Sequence, residues 1–155
     1  MKVRHYSPEA LDFQIRVKGL KNREIAEKTD TTRQNISAYR LGKWNPTLSQ
    51  LEEICNKNNI DIRKLFKAED EEETMPVKEA PKLEFKPEEL GKAIKARGYS
   101  YTKLSKEIDL HYQTISNYCT GQTPPTISSL EKICEHINWD IRLLFKKVDG
   151  EEEIA

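Results

Sequence analysis

One stretch of the chain decides the fold: EIAEKTDTTRQNIS, residues 24–37. Its two isoleucines, Ile25 and Ile36, lie in two short helical segments and predict one inward-facing anchor in each. The segments are separated by a turn of three residues centred on Asp30, a residue type that tolerates the left-handed backbone of a tight turn. Thr32 can cap the second segment. The stretch therefore predicts two helices joined by a short turn.

The same pattern occurs twice in the chain. When the sequence is shifted by 79 residues, residues 6–67 align with 85–146 without a gap, and 25 of the 62 positions are identical. Such agreement indicates duplication of one small unit, and two copies are too few for a solenoid. The repeat divides the chain into a first copy (1–67), an acidic and proline-containing linker (68–82), a second copy (83–147) and an acidic tail (148–155).

The flanking residues predict further helices in each copy. Pro8 and Gly19 bound a first helix, because proline suits the first helical position and glycine the position after the last. Thr47 caps a fourth helix and Asp61 a short fifth one. No stretch alternates apolar and polar residues as a strand would. The predicted fold class is all-α, with two tandem five-helix domains joined by an acidic linker.

With five helices in register twice, the chain resembles the lambda-repressor-like (XRE/Cro-type) helix-turn-helix family of DNA-binding proteins. The resemblance is carried by residues 24–37, by Gly42 and Pro46 after them, and by the closing Ile-Arg-Lys-Leu-Phe of residues 62–66. It extends over roughly residues 7–67 and 86–146. The family places its third helix in the major groove of double-stranded DNA, where the first residues of the helix contact bases.

That resemblance implies a set of base-reading residues in each copy. Arginine suits guanine, and glutamine or asparagine suits adenine, with about 1–3 kcal/mol of discrimination for each good pair. The implied readers are Arg33, Gln34, Asn35 and Ala38 in the first copy, and Tyr112, Gln113, Thr114 and Asn117 in the second. Because Tyr112 replaces Arg33, we expect the two copies to prefer different half-sites.

The resemblance also implies contacts to the DNA backbone, at the start of the second helix and around the third. These residues are Lys21, Asn22, Thr32, Arg40, Lys43 and Trp44 in the first copy, and Ser100, Tyr101 and His111 in the second. The second copy has Cys119, Gln122 and Thr123 where the first has Arg40, Lys43 and Trp44. The first copy is therefore the stronger candidate for DNA affinity.

The net charge of zero hides an uneven distribution. Residues 1–67 carry 14 basic and 8 acidic side chains, and residues 81–147 carry 11 and 8, so both copies are basic. Residues 68–80 hold six acidic side chains and one basic one, and residues 148–155 hold four acidic ones. Two basic copies are compatible with phosphate binding. Like-charge repulsion and prolines predict an extended, poorly structured linker.

Other classes of protein find little support in the sequence. It has no glycine-rich phosphate loop, HExxH or GxSxG motif, so we expect no enzyme and no cofactor. The three cysteines and three histidines are scattered, which argues against a zinc site and a disulfide framework. No apolar run could span a membrane, and the first residues lack the apolar segment of a signal peptide, so we expect a cytoplasmic protein.

Two functions remain open. The first is a sequence-specific transcriptional regulator, most simply a repressor of bacterial or phage type, acting as a homodimer or as an intramolecular pseudo-dimer. The second is an antitoxin-like or scaffold protein, in which the first copy binds DNA and the second binds a protein partner. DNA-binding assays on variants of Arg33 and Gln34, and separately of Tyr112 and Gln113, discriminate between them.

Overall fold

The structure is a computed structural model that describes residues 3–148. Within this range the chain forms eight α-helices, two short 3-10 helices and four strands of two or three residues. It divides into two compact units, built mainly from His5–Glu84 and from Phe85–Lys146. The predicted helical character is confirmed. The tail from residue 149 onward lies outside the described residues.

The first unit contains four α-helices followed by a 3-10 helix. The elements are, in order, β1 (His5–Tyr6), α1 (Pro8–Val17), α2 (Asn22–Lys28), α3 (Arg33–Leu41), α4 (Leu48–Lys57), a 3-10 helix (Ile62–Leu65) and β2 (Phe66–Lys67). Strands β1 and β2 pair antiparallel, with Tyr6 opposite Phe66.

Residues 83–147 repeat this order of elements. They are β3 (Leu83–Phe85), α5 (Pro87–Ala96), α6 (Tyr101–Glu107), α7 (Tyr112–Thr120), α8 (Ile127–Ile137), a 3-10 helix (Ile141–Leu144) and β4 (Phe145–Lys147), with β3 paired to β4. The strand pairs were not predicted, because two or three residues are too few to show an alternating pattern.

Capping side chains start the helices where the sequence predicts them. The Ser7 hydroxyl accepts a hydrogen bond from the Ala10 amide at the start of α1. Thr47 and Gln50 form a reciprocal capping box on α4. Asp61 caps the last helix, which is a 3-10 helix of four residues. Gly42 ends α3 in the left-handed conformation, at φ 74°.

Apolar side chains from all the helices of a unit meet in one core. Burying an aliphatic side chain of this size contributes about 1.5–3 kcal/mol, so these positions dominate the stability of each unit. In the first unit the side chains exposed by 1% or less include Leu11, Ile15, Ile25, Ile36, Leu51, Ile54, Ile62 and Leu65. In the second they include Leu90, Ile94, Leu104, Ile115, Leu130, Ile133, Ile141 and Leu144.

Part of the linker packs on the first unit, which differs from the predicted extended, poorly structured segment. The Gln14 side chain donates to the Thr74 carbonyl oxygen at 2.7 Å, and Lys18 donates to the Val77 carbonyl oxygen at 3.2 Å. Lys67 forms an ion pair with Glu73. We call residues 69–78 the acidic strap. Lys67 thus pairs with one carboxylate of the strap, and linker composition alone does not reveal the long-range contacts to α1.

Candidate nucleic-acid interface

The two helices of the deciding stretch pack through their apolar anchors. Ile25 of α2 is fully buried and Ile36 of α3 is 1% exposed. The Thr29 hydroxyl donates to the Ile25 carbonyl oxygen at 2.8 Å, which closes the end of α2. The Thr32 hydroxyl accepts from the Asn35 amide at 3.1 Å, which starts α3. The first turn of α3 is thus held in a defined position relative to α2.

The predicted readers of the first copy differ in exposure. Arg33 and Gln34 are exposed in the first turn of α3. Asn35 is half-buried, and its side-chain amide donates to the Thr31 hydroxyl at 3.3 Å. Ala38 is only 6% exposed and belongs to the core. The exposed surface of the first turn of α3 is therefore formed mainly by Arg33 and Gln34.

Arg40, predicted to contact DNA phosphates, is used inside the unit. Its Nε donates to Asp12 Oδ1 at 2.8 Å, and its Nη1 donates to Asn22 Oδ1 at 2.7 Å. The side chain is 17% exposed. Arg40 thereby joins α1, α2 and α3. Asn22 was also predicted to contact the DNA backbone, but its side-chain oxygen accepts the hydrogen bond from Arg40.

The chain after α3 is open to solvent. Lys43 is exposed and Trp44 is 56% exposed, while Lys21 before α2 is exposed as well. Leu41 is 67% exposed beside them, and the sequence reasoning missed it. Its replacement by Thr120 in the second copy was the available signal, because most fully buried positions are apolar in both copies.

The predicted readers of the second copy form a different surface. Tyr112 is 47% exposed, and Gln113 is exposed. The Gln113 side chain donates to the Asn117 side-chain oxygen at 3.1 Å. Thr114 and Asn117 are half-buried. His111 caps α7, with Nδ1 accepting from the Gln113 amide at 3.1 Å, so this nitrogen is occupied within the helix start.

Ser100 and Tyr101, at the start of α6, also differ from their counterparts. Ser100 caps α6 by accepting from the Lys103 amide at 3.1 Å. Tyr101 is half-buried, and its hydroxyl hydrogen-bonds the Cys119 thiol. A Cβ atom at Gly91 would lie 3.6 Å from the Tyr101 hydroxyl oxygen and 3.7 Å from the Cys119 Cβ, which are ordinary van der Waals distances, so Gly91 packs directly against this pair. Burial, and then the hydrogen bond to Cys119, raise the pKa of Tyr101.

The two surfaces also differ in charge. Residues 110–126, which include α7 and the turn after it, contain no Lys, Arg, Asp or Glu. The equivalent residues 31–47 contain Arg33, Arg40 and Lys43. Because Arg40 is bound internally, the freely exposed positive charge of residues 31–47 comes from Arg33 and Lys43.

Comparison with known proteins identifies the fold of one region. Residues 90–144 match the model of a family described as Helix-turn-helix. The match starts in α5 and ends with the second 3-10 helix, and it covers about a third of the chain. It supports DNA binding of the XRE type as the class of this region. No curated protein and no solved structure matches the chain.

The structure was also inspected for a membrane-spanning helix and for a metal site. Among residues 3–148, no helix is long and apolar enough to cross a membrane. In the same described range, no group of three His, Cys, Asp or Glu side chains is placed to hold a metal ion. The helix-turn-helix family that matches is one of DNA-binding regulators, and the match carries no sign of an enzyme.

Proposed function

We propose that the protein is a sequence-specific regulator of transcription that binds double-stranded DNA, and that the first copy supplies most of the affinity. One observation carries the proposal: Arg33 and Gln34 are exposed in the first turn of a capped helix that follows a buried α2–α3 contact. These two side-chain types suit guanine and adenine in the major groove. Asn35, half-buried beside them, plays a smaller part.

The backbone contacts of the first copy come from residues around the reading helix. Lys21, Thr32 and Lys43 are exposed, and each carries a hydrogen-bond donor for a phosphate oxygen. Trp44 lies beside Lys43 and offers its ring to the sugar-phosphate chain. Arg40 acts through Asn22 and is a positioning residue. Ala38, being buried, is not part of the proposed surface.

The second copy is proposed to add sequence preference with little affinity. Its base-contacting residues would be Tyr112, Gln113, Thr114 and Asn117. Its contacts to the DNA backbone would come from Ser100, Tyr101 and His111. The absence of charged residues between 110 and 126 removes most of the phosphate attraction there. Two linked copies would act as a pseudo-dimer on two unlike half-sites about one helical turn apart. A repressor or a homodimer is compatible with this arrangement.

Selection of bound sequences from a random pool of DNA duplexes tests the proposal. We expect a site with two unlike halves, in which the better-defined half is lost when Arg33 and Gln34 are both replaced by alanine. Replacement of Tyr112 and Gln113 should alter only the weaker half. Failure to enrich any sequence with the unaltered protein would contradict sequence-specific binding.

A second candidate function rests on the uncharged surface of the second copy. Interface centres are depleted of charge and enriched in tyrosine, and α7 offers exposed Tyr112 with no charged neighbour from residue 110 to 126. In this candidate the first copy binds DNA and the second binds a protein, as in an antitoxin or a scaffold. It is favoured if Tyr112→Ala and Gln113→Ala leave the selected DNA sequence and its affinity unchanged.

A further inference from the structure

We propose that the first unit contains a binding site for a phosphorylated small molecule of the nucleoside phosphate type. A cavity of about 490 Å3 opens between the ends of α1, α2 and α4 and the acidic strap. This volume lies within the usual range for small-molecule sites. Its lining includes four lysines and no aspartate or glutamate; the lysines are Lys18, Lys28, Lys57 and Lys78.

The cavity gathers four lysines at one cleft, and its lining supplies no carboxylate to pair with them. Within residues 3–148, none of Lys28, Lys57 and Lys78 forms an ion pair, and Lys18 donates to the carbonyl oxygen of Val77. Like charges gathered around one cleft raise the local concentration of anions. A phosphate or diphosphate bound among these ammonium groups would relieve their mutual repulsion and accept several of their hydrogen bonds.

One buried polar atom and several apolar atoms complete the site. Asn58 lines the cavity and is 5% exposed; its side-chain amide donates to the Ile54 carbonyl oxygen at 2.7 Å. Its Oδ1 is buried without a hydrogen-bond partner, so it would accept from a ligand hydroxyl or amine once the side chain turns toward the cavity. Leu20, Met75 and Pro76 add apolar lining for a ring. A ligand that has a phosphate for the lysines, a hydroxyl for Asn58 and a ring for the apolar lining is a nucleoside phosphate.

The second copy provides an internal comparison, because its own side chains occupy the equivalent positions. Glu107 replaces Lys28 and His136 replaces Lys57, and these two side chains contact each other at 3.1 Å. The ring of Tyr99, which replaces Leu20, lies 5.7 Å from that of His136. Arg97, in place of Lys18, donates to the Ile137 carbonyl oxygen at 3.1 Å. The lysine-lined cavity is therefore a specialisation of the first copy.

Calorimetric titration of the whole protein with ADP tests the site, in buffer of about 150 mM salt that screens surface attraction. We expect binding with Kd below about 100 µM. Replacing Lys28 and Lys57 together by glutamine should raise Kd at least about tenfold. Lys28→Glu, which introduces the residue type found at Glu107, should also weaken binding. Both lysines are exposed, so the variants should unfold at the same temperature as the parent.

The controls separate this site from general attraction to anions. Glutamine at the exposed Lys95 and Lys106 of the second unit removes the same charge and should leave ADP binding unchanged. Adenosine should not bind measurably, and pyrophosphate should bind more weakly than ADP.

Three results would overturn the proposal: no ADP binding below about 1 mM, equal affinity for pyrophosphate, or unchanged ADP binding in the Lys28 and Lys57 variant. If that variant loses DNA affinity and the parent binds no ADP, these lysines serve DNA instead. The test is independent of the proposed function, because it is done without DNA.

Discussion

At the scale of single residues, the copies differ most where three helices meet. The first copy joins them with charged and polar side chains, and the second with a hydroxyl-thiol pair beside a glycine. The three aligned positions are Asp12, Asn22 and Arg40 in the first copy and Gly91, Tyr101 and Cys119 in the second. In each copy the three residues lie together although they come from separate helices. Composition could not predict these contacts, because the three residues of each set come from separate helices.

Arg40 and Lys43 are therefore expected to behave differently although both are cations near α3. Arg40→Gln removes the hydrogen bonds to Asp12 and Asn22 and should lower the free energy of unfolding by about 1.5–3 kcal/mol. It should leave the salt dependence of DNA affinity unchanged. Lys43→Gln should leave stability unchanged and reduce the slope of log K against log salt by about 0.9. Urea unfolding and DNA titrations at several salt concentrations measure both. A reduced salt slope for Arg40→Gln would assign that residue to the DNA.

The cysteines also give a residue-scale prediction. Burial raises the pKa of Cys55, of Cys119 and of Cys134, the last to about 12. All three are free thiols, and a neutral buried thiol is a poor nucleophile. In the folded protein at pH 8, a disulfide reagent such as DTNB should therefore modify them slowly, whereas in denaturant all three should react at once. Rapid modification of one thiol in the folded state would show that its surroundings are more open than the structure has them.

At the scale of elements, the sequence predicts most helix starts and ends, because single side chains determine them. Thr32, Thr47 and Asp61 cap the helices that were assigned to them. The last helix is a 3-10 helix, and its four residues carry too little periodicity to distinguish it from an α-helix. The strand pairs depend on contacts between residues far apart in sequence. Local patterns do not record such contacts.

The cap of the second 3-10 helix gives a pH-dependent prediction. Partial burial of Asp140 opposes its ionisation, but hydrogen bonds from Arg142 outweigh this and lower the pKa of the carboxyl group below 3.8. A carboxyl group whose folded pKa is lowered stabilises the fold above its unfolded pKa, and the contribution is lost as pH falls through the folded pKa. Asp140→Asn should therefore destabilise the second unit at pH 7 by about 1 kcal/mol and have much less effect below pH 3.

Fluorescence of the neighbouring Trp139 during urea unfolding measures this effect, with Trp44→Phe as the background. The exposed Asp109, in the turn before α7, provides the control: Asp109→Asn should change stability little at either pH. An Asp140→Asn effect of equal size at pH 7 and pH 3 would contradict the role given to the ionised carboxylate.

At the scale of the whole molecule, the two copies share one order of elements and differ in their surfaces. The family match falls on residues 90–144, in the second copy, whereas exposed cations in and just after the third helix, Arg33 and Lys43, occur in the first copy. The sequence predicts this division because the charged residues around α3 of the first copy have uncharged counterparts in the second. It does not predict the acidic strap, whose contacts depend on the folded first unit, nor the lysine-lined cavity beside it. Both follow from tertiary packing between distant segments.

We propose above that Arg33 and Gln34 of the first copy read DNA bases. The most direct test compares Arg33→Lys with the parent on the DNA site obtained by selection, at one fixed salt concentration, by fluorescence anisotropy. Lysine keeps the charge but loses the paired hydrogen bonds of the guanidinium group. We predict a loss of at least about tenfold in affinity for the selected site, with affinity for unrelated DNA unchanged. An equal effect on both DNAs, or none on either, would contradict the claim.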